Sequence, residues 1–349
     1  MDTHKPLVLF VGIDAGNDAS SYTFQVRRGF EECGWRTESF HYRWAHLHRL
    51  PGAYHAISKL LIERVRRLKP DLLFVIKGEA FLPGTIDAIR RLGVRTANWT
   101  LDEPFGTCSR FNRIPNIPEY DTYFIFDDAY VPQLLAAGAR EAHFMPVGTE
   151  PDIYAEQVPW EQRQYSCDAS FVGSHHPNRE AMLAQLQGVD LKIWGYRWNN
   201  IPSTSPLRSA VQPTFPRANK EVAAIPEIVR LWNLSKCNIN IHHPQVQGNG
   251  PNLRIFELMA TKSFQICDAI KRIGTLFVPD KDFVLYNDVN ELRRHIAYYT
   301  EHPAERRAMV EHAHASLVKR HRTLHRVQAM LDIIGVENRP APPLVQRVR

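Results

Sequence analysis

PNLRIFELMATKSFQICD, residues Pro251 to Asp268, reads as a short helix carrying an arginine and a carboxylate, followed directly by a strand. Arg254 and Glu257 lie three apart, so they share one face of any helix that carries them. From that face the guanidinium can fork onto a phosphate, and the carboxylate can accept hydrogen bonds from two vicinal ribose hydroxyls. The competing reading is an i,i+3 surface ion pair beside an apolar Ile255, Leu258 and Met259 face. Both readings make the segment one repeat of a helix-and-strand alternation.

Working outward, the same alternation recurs through the second half. FVGSHHPNREAML, from Phe171 to Leu183, reads as a strand end, a tight loop and a helix opening near Pro177 or Asn178. Gly173 and Ser174 permit close approach there, and Arg179 stands in the first helical turn, an arrangement suited to a phosphate. A plain strand–helix turn with a solvated arginine is the alternative. The strand VDLKIWGYRW ends in a loop whose Tyr196 can stack on a base. Residues 201–216 form a long proline-rich loop, of a length usually justified by lining a site. A helix over 225–234 precedes the strand CNINIHH, which ends at His242 and His243. The loop PQVQGNGPN follows, where Asn249 and Gly250 can present backbone N–H groups to a diphosphate. After SFQICD, GTLFVP reads as strand-like, and amphipathic, basic helices close the chain.

The first half opens on LVLFVGI, Leu7 to Ile13, a continuous apolar run of the kind that forms buried parallel strands. Helices are expected over 22–33, 54–69 and 85–92. Strands are expected around 35–40, in DLLFVIKG and in VRTANWTLDEP, and the alternation continues through residue 148. So many repeats predict a parallel sheet covered on both faces, with ligands at the carboxyl ends of the strands. That rule selects Gly12 to Asp14, Lys77 to Glu79, Asp102 with Glu103, and Asp127 with Asp128. NWTLDEP is the sharpest of these: Asp102 can orient a hydroxyl nucleophile or act as base, or else satisfy backbone N–H groups at a turn. No GxGxxG follows the first strand, so a dinucleotide-binding half is not expected.

At 349 residues the chain exceeds one ordinary core. Pro146, Pro151 and Pro159 mark the best boundary. The expected domains are 1–150, a linker over 151–166, a second domain over 167–325, and a terminal helix and tail over 326–349 that packs back on the first. A net charge of +6, spread along the chain, suits an anionic small substrate. The densest basic run, from Glu63 to Asp71, reads as the end of an amphipathic helix, and nucleic-acid binding is not expected. Five scattered cysteines without a CxxC argue against a disulfide scaffold or structural zinc. Sixteen histidines, including the pairs 175–176 and 242–243, contain no HExxH and complete no metal site. No signal-like start or spanning apolar run is present, so a cytoplasmic protein without transmembrane association is expected.

The ordered blocks DLLFVIKG, NWTLDEP, FVGSHHPNREAML, LKIWGYRW, KCNINIHH, NLRIFELMATKSFQICD and NELRRHIAYYTEHPAERRAMVEHAHASLVKRH resemble the CgeB-like, spore-maturation family of glycosyltransferases. That family is related to the retaining sugar-nucleotide transferases of the GT-B fold. The resemblance implies an α/β protein of two Rossmann-like doubly wound domains facing each other across a cleft, with acceptor lobe first and donor lobe second. It implies that Glu257, the second glutamate of an E-x7-E pattern, binds the donor ribose. Arg254 and the loop before it would face the diphosphate or sugar, with Gly173, Ser174 and Arg179 closing the phosphate side. Asp102 matches an aspartate of a DDP-like element, here LDEP. Two positions depart from the pattern: the first glutamate is Asn249, and a glycine at a point read as close approach is Lys262.

The expected activity is metal-independent transfer of a sugar from a nucleoside diphosphate sugar to a hydroxyl or amine acceptor, on a small molecule, glycan or protein. The expected catalytic residues are Asp102 and Arg254. The donor-binding set is Gly12, Gly173, Ser174, Arg179, Tyr196, Asn249, Gly250, Arg254 and Glu257. No DxD motif supports a metal, and no separate cofactor is required. The alternatives are a noncatalytic nucleotide-binding or assembly protein on the same fold, and a sugar-nucleotide epimerase.

Overall fold

The computed structural model describes residues 5–12, 21–41, 52–79, 81–105, 114–213 and 225–335. Asp14, Cys108, the end of the 201–216 loop and the tail after residue 335 lie outside them. The chain divides into two compact units, Met1–Val147 with Thr323–Arg349, and Gly148–Arg322.

In the first unit, β1 (Leu7–Gly12), α1 (Tyr22–Glu32), β2 (Arg36–His41), α2 (Ala53–Leu68), β3 (Leu72–Ile76), α3 (Thr85–Arg90), β4 (Arg95–Thr100), β5 (Thr122–Ile125), α4 (Val131–Ala136) and β6 (Ala142–Phe144) follow in order. The strands form one parallel sheet in the order β2-β1-β3-β4-β5-β6. β1 and β3 are buried at every position, which is why they read as uninterrupted apolar runs. The helix α1 begins where Ser21 Oγ accepts from Thr23 N at 3.1 Å. The strand order reverses direction between β1 and β3, and Gly12, Lys77 and Asp102 all stand near the carboxyl ends around that point. The basic run of α2 behaves as a helix end: Arg66 and Arg67 occupy its last turn, and Arg64 reaches Glu38 at 2.7 Å.

The second unit holds β7 (Cys167–Val172), α5 (Pro177–Leu183), β8 (Leu191–Trp194), α6 (Ile225–Asn233), β9 (Ser235–Asn240), α7 (Leu253–Ala260), β10 (Gln265–Asp268), β11 (Val284–Tyr286), α8 (Val289–Glu301) and α9 (Pro303–Ser316). Its parallel sheet runs β11-β10-β9-β7-β8, with the reversal between β7 and β9. Ile193, Ile239, Ile266 and Leu292 meet in its core. The last helix, α10 (Thr323–Ile334), belongs to the first unit and packs on α1, where a Cβ on Gly29 would sit 2.7 Å from Val327 Cγ2. Side-chain volume on α1 is therefore limited at that crossing.

One expectation needs correction. GTLFVP is not a strand: Ile273–Thr275 forms a 3₁₀ turn, and Phe277 leaves it to pack against Phe256, Phe283 and His321. The edge strand is Val284–Tyr286. Residues 151–166, expected as a linker, cluster with the second unit. Asn233 Oδ1 accepts from Gln157 N and Val158 N at 3.0 and 3.1 Å. Arg163, its side chain 1% exposed, bonds Glu156, Val158 O and Lys262 O. These hydrogen bonds hold the segment against the second unit. The terminal segment joins the first unit from Thr323, three residues before the expected 326.

Candidate functional site

The reversal between β7 and β9 gathers the second unit's charged groups. Asn252 caps α7, its Oδ1 accepting from Ile255 N at 3.3 Å, and its amide exchanges hydrogen bonds with Asn240 at the end of β9. This lock sets the angle at which α7 presents Arg254 and Glu257. Arg254 Nε donates to Glu257 Oε2 at 2.9 Å, its Nη1 donates to Val172 O at 2.6 Å, and the guanidinium lies 4.5 Å from the Trp232 ring centroid. Nη2 has no bonded partner among the described residues. The pair is thus not a solvated surface bridge, because Glu257 is buried and its other oxygen accepts from Tyr154 OH at 2.9 Å. Burial, then the neighbouring Glu257 charge, pushes the Tyr154 phenol well up, so it stays a donor.

Arg179 approaches from α5. Its Nε and Nη2 donate to Ile241 O at 3.2 and 2.9 Å, and Nη1 donates to Ser174 O at 2.9 Å. The guanidinium therefore ties the loop after β7 to the end of β9. Burial, followed by the Arg254 charge, lowers its pKa to about 10. Ser174 is exposed and contributes its carbonyl to this contact. Gly173 meets Phe171, and the tighter approach belongs to Gly195, whose Cβ would fall 1.9 Å from Gly173 O. Gly173 O also accepts from Trp198 Nε1 at 2.8 Å. Tyr196 is 57% exposed, with the Arg197 guanidinium 5.0 Å from its ring centroid.

Asn249 and Gly250 are buried, and Asn249 Nδ2 donates to Thr275 Oγ1 at 2.7 Å. Lys262 has φ +50°, in the left-handed region, directly after the α7 cap Thr261. A glycine suits this position for its backbone, and the lysine side chain turns away to pair with Glu311 at 3.1 Å.

Histidines occupy the same end of the sheet. His175 meets Glu180 at 2.6 Å, and the His176 and His243 rings lie edge to face with centroids 4.4 Å apart. Burial, then His243 and Arg179, lowers the His176 pKa to about 4. His242 Nδ1 lies 2.6 Å from Asp268 Oδ1, while its backbone N donates to Asp268 Oδ2 at 2.9 Å. His242, Cys267 and Asp268 bring possible metal-ligand atoms within 4.8 Å of one another. Burial, then the Asp268 charge, pushes the Cys267 thiol well up.

In the first unit, Asp102 Oδ2 pairs with Lys77 Nζ, the side chains 33% and 25% exposed. The two carboxylates of LDEP separate in role: buried Glu103 accepts from Phe105 N and caps its own turn. Gly12 serves packing, since a Cβ there would lie 2.9 Å from Thr23 Cγ2. The structure thus brings Arg179, Arg254, Glu257, Gly173 and Ser174 to one sheet end. Tyr154, His242 and Asp268 belong with them but were not selected from sequence. Tyr154 stands 103 residues from Glu257 in an irregular segment, and no spacing connects them.

Residues 178–332 match a family described as glycosyl transferase-like. No curated protein matches the chain. Among solved structures, sucrose-phosphate synthase of Thermosynechococcus elongatus is similar at TM-score 0.67 and 11% identity, over 95% of this chain and 98% of that one. A glycosyltransferase from Rickettsia africae gives 0.65 and 11%, over 95% and 98%. Anabaena Alr3699/HepE, in complex with UDP-glucose, gives 0.65 and 12%, over 95% and 100%. The chain has the GT-B architecture, two Rossmann-like units each built on a parallel sheet.

Proposed function

We propose that the protein transfers a sugar from a nucleoside diphosphate sugar to a hydroxyl or amine acceptor, without a metal, as a CgeB-like glycosyltransferase. The observation that carries this reading is the pair Arg179 and Arg254 at the strand reversal of the second sheet, inside the segment that matches the glycosyl transferase-like family. Departure of a nucleoside diphosphate develops negative charge, which cations and helix N-terminal N–H groups stabilise. Arg254 keeps Nη2 for that purpose, while Arg179 contributes its field from a fixed position. Glu257 retains acceptor capacity beyond Tyr154 and Arg254, as ribose recognition requires. A UDP-glucose complex of a structural neighbour supports the donor class. Asp102 is the acceptor-side carboxylate, with Lys77 holding its charge and orientation.

Calorimetric titration with a panel of nucleoside diphosphates and their sugars tests this. One sugar nucleotide should bind more tightly than its free diphosphate, and Glu257→Ala should weaken it. Failure of the whole panel to bind would overturn the proposal. Asn249, where the sequence pattern has a carboxylate, favours a second reading, a noncatalytic binder, which predicts binding without turnover.

A further inference from the structure

Lys77 closes β3 in a conformation that a lysine rarely adopts. Its φ is +67°, in the left-handed region, and Gly78 follows at +75°. The neighbouring strand β4 holds this turn: Lys77 N donates to Trp99 O at 3.1 Å, and the buried Asn98 amide donates to Lys77 O at 3.4 Å. A Cβ on Gly78 would lie 2.9 Å from Tyr120 OH, so no side chain fits there. Backbone strain of this kind persists only where the surroundings enforce it, and it gathers at functional sites. Its result here is the Lys77–Asp102 pair, which joins the ends of adjacent strands at the strand reversal of the first sheet. Among the described residues Asp102 is the one partner of Lys77 Nζ, and both side chains reach solvent. An ammonium offers N–H groups and no lone pair, while a carboxylate offers lone pairs and no proton. Side by side, the two present a donor and an acceptor to one incoming atom. A hydroxyl matches both: its proton faces the carboxylate, one lone pair takes an N–H from Lys77, and the second is left to attack. A neutral amine has a single lone pair, which Lys77 would occupy. A protonated amine has none and carries a like charge.

We propose that Lys77 is a specificity-determining residue of the acceptor side: with Asp102 it grips the attacking oxygen, so the acceptor is a hydroxyl and not an amine. This inference rests on the transferase reading above, with Asp102 as the base. In that step the acceptor oxygen bonds to the anomeric carbon of the donor sugar, and the bond from that carbon to the diphosphate breaks. The electron pair leaves on the diphosphate, and the hydroxyl proton passes to Asp102. Lys77 keeps its own protons, and its charge stabilises the oxygen as the proton leaves it.

The test uses the full-length protein with UDP-glucose, or with the tightest sugar nucleotide of the panel. Water is itself a hydroxyl acceptor, so release of the diphosphate by hydrolysis needs no identified partner. Lys77→Met removes the donors and the charge, and should slow hydrolysis about 10- to 100-fold while calorimetric donor affinity changes by less than about 2-fold. Lys77→Arg retains charge and donors and should recover part of that loss. Transfer to methyl glycosides of the common hexoses is then compared, by mass spectrometry, with transfer to analogues bearing an amine at the glycosylated position. The wild type should prefer the hydroxyl by at least about 10-fold, and Lys77→Met should narrow that preference. A merely structural lysine would lower both rates equally and leave their ratio fixed, which overturns the proposal. Unchanged hydrolysis in Lys77→Met, or wild-type transfer to amines at the hydroxyl rate, overturns it as well. A wild type that binds no sugar nucleotide, or binds one without hydrolysing or transferring it, instead removes the transferase reading itself.

Discussion

At the carboxyl end of the first sheet, Lys77 and Asp102 meet as a pair that water still reaches. At that of the second, the carboxylate of Glu257 is buried between Tyr154 and Arg254, while the Arg254 guanidinium, stacked near Trp232, keeps a partly exposed side chain. Charges of the first kind contribute little to stability and remain available to a reactant. Those of the second kind hold a helix against a strand, and removing one partner strands the other in a poor dielectric. Oppositely charged pairs are therefore tied to folding in one unit and largely independent of it in the other.

The largest expected effect comes from breaking the network around buried Glu257. Arg254→Ala should lower unfolding free energy by about 2–4 kcal/mol, measured by urea denaturation, because Glu257 loses its counter-charge and the end of β7 loses a donor. Its activity loss must be read against that instability. Unchanged stability would show the network to be dispensable and collapse the contrast. Asp102→Asn should do the reverse: turnover falls about 100-fold, while stability changes by less than about 1 kcal/mol. Full turnover would remove Asp102 from the reaction.

A pH series sharpens the comparison further. The folded His176 imidazole titrates at about 4 and its ordinary value is 6.5. Between those values the unfolded chain binds the extra proton, so stability present above pH 6.5 is lost as the pH falls towards 4. Thermal melting of His176→Gln should show a shallower decline than wild type over that window, and parallel curves would refute the assignment. The smallest effect is expected at Lys262→Gly. Relief of the left-handed strain at φ +50° should stabilise the fold by about 0.5–1 kcal/mol without altering donor affinity.

The sequence made some of this contrast readable. LVLFVG and LLFVI are buried on both faces, and such strands announce themselves as apolar runs. Arg254 and Glu257 are linked by helical spacing alone. GTLFVP misleads because its apolar residues serve an aromatic cluster around Phe277, while the true edge strand is only VLY. The Tyr154–Glu257 and His242–Asp268 contacts arise from tertiary packing across distant segments, and local periodicity carries no trace of them. Small residues and their replacements look alike in sequence whether they meet a ligand, a helix or a strained turn, so the Thr23 contact at Gly12 and the positive φ at Lys262 leave no local mark.

The seating of α10 against α1 has a consequence for synthesis. Gly29 and Val327, which touch in the finished protein, are separated by the entire second unit. During translation the second unit can complete its own contacts before α10 emerges, whereas the first unit waits with a bare helix face. A released chain truncated before Thr323 should therefore contain a folded second unit and an unfinished, chaperone-prone first one.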